Sequence, residues 1–189
     1  MKNYIIKSRN PTVSIKFQVT LLGTKPAPQV ADFSSRGPVL HAPWILKPDI
    51  LSPGVDVWGA WAPNRASASI GDDFLFTDYA LFSGTSPHIV GIAESPKAAH
   101  KDWSPAAIRS AMMATADILD NANNPIMDII TGVAGTPLDF GGGHVNPNKT
   151  MDPGLVYDIG VQDYINCVRA LNYTTKQLRT ITRRSNVIS

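Results

Sequence analysis

Apolar and polar residues alternate over residues 13–22, the period of a half-buried strand, and an extended path resumes over 30–34 after a proline-rich link. Residues 49–60 read as a buried strand bent at Pro53-Gly54, with Trp58 and Trp61 anchoring it to the core. The small polar residues of 63–73 predict a loop, and 74–82 an approach strand or loop. The period then changes. Ile89, Val90, Ile92 and Ala93 follow Pro87 at helical spacing and predict a helix from Pro87 to about Ser95. Pro96 has no N–H and its ring clashes with the preceding turn, so a break is expected near Ser95, with Glu94 solvated or pushing that side outward. The best-marked helix comes next, with Ser104 as cap, Pro105 at the first position, and Ile108, Ala111, Met112 and Thr115 repeating. Trp103 and Ile108 are placed to staple its start. Turn residues interrupt 121–135, a short amphipathic helix is predicted over 161–171, and another after Thr174. This alternating order of strand and helix predicts an α/β chain.

Where the approach segment meets the first helix stands Leu81-Phe82-Ser83-Gly84-Thr85-Ser86-Pro87-His88. Gly84 permits a tight turn, Ser86 is placed to cap the helix through its oxygen, and Pro87 suits a position needing no N–H. A nucleophilic hydroxyl belongs at such a place, beside orphan N–H groups able to stabilise an oxyanion. An ordinary Ser-Pro helix start uses the same residues, so the run alone does not separate nucleophile from cap.

With its flanks, this run resembles the nucleophile segment of plant subtilisin-like serine proteases, the subtilases, where Gly-Thr-Ser-Met leads through two small residues to Pro-His. The resemblance extends through Val30-Ala31-Asp32-Phe33-Ser34-Ser35-Arg36-Gly37-Pro38, Leu46-Lys47-Pro48-Asp49-Ile50-Leu51-Ser52-Pro53-Gly54-Val55 and Asp102-Trp103-Ser104-Pro105-Ala106-Ala107-Ile108. Phe140-Gly141-Gly142-Gly143-His144-Val145-Asn146-Pro147, continuing to Asp158, looks like the segment closing the catalytic domain. The resemblance implies that Ser86 is the catalytic serine, with Ser83, Gly84 and Thr85 beside bound substrate. It implies a partial subtilisin-like α/β fold, a mostly parallel sheet with flanking helices, truncated on its N-terminal side. Residues 1–24 resemble the end of a protease-associated insert and a return strand, 25–160 the C-terminal part of the catalytic domain, and 161–189 a helical tail leading toward a fibronectin-like domain.

Two departures bear on the chemistry. The three residues that the family places between Ser86 and Pro87 are absent, which turns everything downstream by roughly 60° and draws it back by about 4.5 Å relative to the serine. Either the helix slides or the serine moves. The second departure is Glu94-Ser95-Pro96-Lys97, where the family is apolar. A serine also needs a general base and a group to orient it. The resemblance puts the family's Asp, His and oxyanion Asn upstream of the serine segment, and this sequence does not encode them. His88 stands two residues from Ser86, a spacing that points two helical side chains apart. His144, in a glycine-rich loop able to reach a cleft, reads as satisfying nearby backbone; His41 and His100 read as solvated, and Asp49 as fold geometry.

Composition adds limits rather than chemistry. The chain has 189 residues, 43% hydrophobic and 17% charged, with a formal net charge of +2 and scattered Lys and Arg, so no nucleic-acid partner is implied. No cofactor, metal site or membrane association is expected. One cysteine, Cys167, cannot form an internal disulfide. The Met1 start carries no signal-peptide core, which predicts a cytoplasmic chain although the resembled family is secreted. Asn148-Lys149-Thr150 and Asn172-Tyr173-Thr174 are glycosylation sequons, relevant only in the secretory pathway. The family's activity is peptide-bond hydrolysis through an acyl-enzyme on Ser86, with a protein or peptide substrate, and this chain alone is expected to be inactive. The alternatives are a non-catalytic piece that binds a partner or peptide and a truncated gene product without function. Burial is the remaining difficulty: a helix whose parallel strands lie upstream exposes part of its core and invites self-association.

Overall fold

The computed structural model describes residues 6–10, 12, 14 and 22–183. The strand expected over 13–22 and the residues from 184 onward lie outside the described residues. The element order is β1 (Gln29–Val30), β2 (Val57–Ala60), β3 (Ala68–Ile70), β4 (Asp73–Leu75), β5 (Tyr79–Phe82), α1 (Ser86–Ala99), α2 (Pro105–Ala114), β6 (Met127–Asp128), α3 (Pro137–Phe140), α4 (Pro147–Thr150), α5 (Val161–Ala170) and α6 (Thr175–Thr182). The fold is α/β. β1 pairs parallel with β6, Gln29 opposite Met127, while β2–β5 and β3–β4 are antiparallel.

The glycine-rich segment after α3 stitches the layers together. Leu51 N–H donates to Gly143 O and Val145 N–H to Leu51 O, both at 2.8 Å, while Asp117 and His144 exchange N–H···O bonds of 2.8 and 2.7 Å. Gly141 has φ 63°, and a Cβ there would lie 2.3 Å from the Asp49 carbonyl, so only glycine lets the strands approach. Among the described residues, three small cores result. Val30, Ile126 and Phe140 form one with Leu51 against it; Ile108, Met112 and Val145 form another beneath Ile50, Ile92, Ala93 and Trp103; Ile165 and Leu178 join α5 to α6. Arg36 locks the first from outside. Its guanidinium reaches Asp128 Oδ2 at 2.6 Å, Asp139 Oδ1 at 3.3 Å and the carbonyls of Ala31 and Ser34.

Several expectations need correcting. The helix does not break near Ser95: α1 runs unbroken to Ala99 with Pro96 inside it. Pro96 lies in the last turn, so it removes a single donor, and its ring is fully buried while its carbonyl accepts His100 N–H at 2.8 Å. Lys97 Nζ then holds the following turn through the Lys101 and Trp103 carbonyls, each at 2.7 Å. Trp58 does not anchor the core but stands 65% exposed, because β2 presents Val57 inward and the next residue outward. Only Trp61 is half-buried, 6.2 Å from Phe82 ring to ring. Residues 63–73 are not all loop, since β3 pairs with β4, and of the strand expected over 49–60 only Val57–Ala60 is one. His100 is not solvated: its ring stacks 3.9 Å from Trp103 and its Nε2 lies 3.1 Å from Met151 O.

Other expectations match. Ser104 Oγ accepts from Ala106 and Ala107 N–H at 3.1 Å, and Trp103 packs on the cluster containing Ile108. Glu94 is exposed, α5 stops at Ala170, and Thr174 caps α6.

Candidate serine site

β5 delivers the chain into the serine turn, and a second loop holds that turn. Gly84, at φ 156°, donates its N–H to Gly54 O at 2.7 Å, and Ser83 Oγ accepts Asp56 N–H at 3.4 Å. A Cβ on Gly54 would sit 2.7 Å from Thr85 Cγ2, so the Pro53-Gly54 bend is what lets the two loops close on each other. The structure therefore brings Ser83, Gly84 and Thr85 onto the bend after Ser52, a long-range contact invisible in the local pattern.

Ser86 is not the helix cap. Thr85 holds that position in a helical conformation with no side-chain cap bond, Ser86 is the first helical residue, and Ile89 N–H closes the first turn on Thr85 O at 3.1 Å. Ser86 is exposed, and its hydroxyl bonds to nothing among the described residues. Ser86 stands at the helix start, with Pro87 and His88 following it in the first turn. That arrangement leaves an unengaged hydroxyl at the helix start, where the first N–H groups have no acceptor within the helix.

The histidines do not complete a triad within the described residues. His88 is half-buried on α1, its Nδ1 buried without a hydrogen-bond partner. Ser52 Oγ, on the loop that holds the turn, is likewise buried and unpartnered. His144 is tied through its backbone to Asp117; burial lowers its pKa below the usual value, against the raising charge of Asp117. Asp117 is itself held low by hydrogen bonds from Lys149 at 2.5 Å and Asn146 at 2.7 Å. His41 is exposed, and Asp49 pairs with Lys47 at 2.5 Å. A cavity of about 640 Å³ between α2 and α5, walled by Leu46, Arg109, Met113, Tyr164 and Cys167, includes none of residues 83–88. No group of three His, Cys, Asp or Glu side chains suited to a metal occurs among the described residues, and no helix there is long and apolar enough to cross a membrane.

A model of the subtilase family matches residues 9–148. Subtilisin-like protease SBT3 of Solanum lycopersicum is 55% identical over 187 residues, 97% of this chain and 25% of that relative. The chain belongs to the subtilase family. Among further relatives, subtilisin-like proteases SBT1.5 and SBT1.7 of Arabidopsis thaliana are 49% and 44% identical, over 94% and 98% of this chain and 23% and 25% of their own lengths. This subtilase chain thus spans about a quarter of the length of the relatives it matches. The signal that sequence reasoning missed was the Ser52-Pro53-Gly54 bend, legible as a turn but not as the support of the serine.

Proposed function

We propose that this chain carries the nucleophile-bearing part of a subtilisin-like serine endopeptidase, with Ser86 attacking the scissile carbonyl and the N–H groups of the α1 start receiving the oxyanion. The observation that carries the reading is the exposed, unbonded hydroxyl of Ser86 at the first helical position, held from behind by the Gly84–Gly54 contact. Ser83, Gly84 and Thr85 would line the substrate path. The general base and its orienting acid come from polypeptide other than these 189 residues, so the chain alone is catalytically incomplete. The resemblance also implies secretion.

The test is to read the transcript upstream of Met1 and express the longest in-frame product. That product should label with a fluorophosphonate, and Ser86→Ala should abolish labelling and peptide hydrolysis. A Ser86→Ala protein that still cleaves overturns the role of Ser86. Ser86-dependent hydrolysis by the 189-residue chain overturns the need for outside groups.

A second reading, a non-catalytic piece that binds a partner chain or peptide, is favoured by the outer face of the β2–β5 pair. There Trp58 stacks on Tyr79 at 6.1 Å, with Leu81 beside them, all exposed. A message that begins at Met1, encoding a monodisperse protein without hydrolytic activity, would decide for it.

A further inference from the structure

We infer that Asn172, and not Asn148, is the N-glycan attachment site of this chain; the inference rests on the secreted reading above. Both residues are exposed, lie in Asn-X-Thr sequons, and have carboxamides that bond to nothing among the described residues. What separates them is the state of the third residue, whose hydroxyl the transferase must reach, and the backbone that carries it. Thr150 is fully buried: it donates its hydroxyl to Asn146 O at 2.8 Å and lies 3.1 Å from Thr115 Oγ1. Its sequon is wound into α4, which packs against both α1 and α2. Once α4 docks, the Asn148 sequon is closed.

Asn172-Tyr173-Thr174 forms the turn between α5 and α6 instead. Asn172 ends the first helix with φ 61°, its N–H on Arg169 O at 3.0 Å, and Thr174 is extended and exposed. The Thr174 hydroxyl caps α6 through Gln177 at the surface, an arrangement that opens without disturbing either larger core. This sequon stays accessible before and after folding, whereas the other must be caught earlier. In the transfer, Asn172 Nδ2 forms a bond to the anomeric carbon of a lipid-diphosphate-linked oligosaccharide. The carbon–oxygen bond to phosphate breaks, the lipid diphosphate leaves with the electron pair, and the amide gives up one proton to the transferase.

The experiment expresses the full chain behind a secretion signal in plant cells and isolates it from both medium and internal membranes, so that retention does not hide the result. N-glycans are released by an amidase in heavy-oxygen water, and the label at each position is quantified by peptide mass spectrometry. Asn172 should be labelled in most molecules and Asn148 in few, and Asn172→Gln should remove one glycan from the intact mass. An unlabelled Asn172, or Asn148 labelled as often, overturns the inference. A chain glycosylated at Asn172 when so directed, whose natural counterpart in tissue carries no glycan, supports the site and rejects the secreted reading instead.

Discussion

Ser86 and Arg36 stand at opposite ends of what a single residue contributes here. The Ser86 hydroxyl is exposed and bonds to nothing among the described residues, so Ser86→Ala should leave stability within about 0.5 kcal/mol while removing any nucleophile. Urea unfolding of the two proteins checks this. Arg36→Met, by contrast, strands the Asp128 carboxylate and two carbonyls and should cost about 1–3 kcal/mol in the same measurement. pH acts through His144. Its folded pKa is lowered by burial, so the native state binds fewer protons than the unfolded chain. Stability is full above the unfolded value of about 6.5 and declines as pH falls from there toward the folded value. Unfolding midpoints measured between neutral and mildly acidic pH should fall, and the slope should flatten in His144→Gln. Ser86 was legible because its run is contiguous. The role of Arg36 was not, since its acidic partner lies 92 residues away.

At the scale of elements, the two central helices start differently although both begin with a hydroxyl residue and a proline. Ser104 caps α2 with two N–H bonds, so Ser104→Ala should lower stability by about 1 kcal/mol. Thr85 makes no cap bond to α1, and Thr85→Ala should lack that penalty. Thermal unfolding of the pair reads the difference directly. α2, α5 and α6 were readable because their caps and apolar spacing are local. The continuity of α1 through Pro96 was not, because it depends on burying the proline ring and on Lys97 gripping the next turn.

The whole molecule leaves the outer face of β2–β5 uncovered, with Trp58 65%, Leu81 61% and Tyr79 53% exposed side by side. A contiguous apolar face of this kind associates. The 189-residue chain should sediment as concentration-dependent oligomers, and Trp58→Ser with Leu81→Ser should shift it toward monomer; a wild-type chain monomeric at all concentrations would refute this. The starts of α2 and α6 and the serine run follow from the order of residues alone, since capping, helical period and turn chemistry are set within a few positions, and the partial α/β class follows from the resemblance that those runs carry. Which side of β2 faces water, the clasp of Gly54 on the serine turn and the burial of Thr150 beneath the Asn148 sequon arise only when distant segments meet, because packing distributes contacts that no local pattern records.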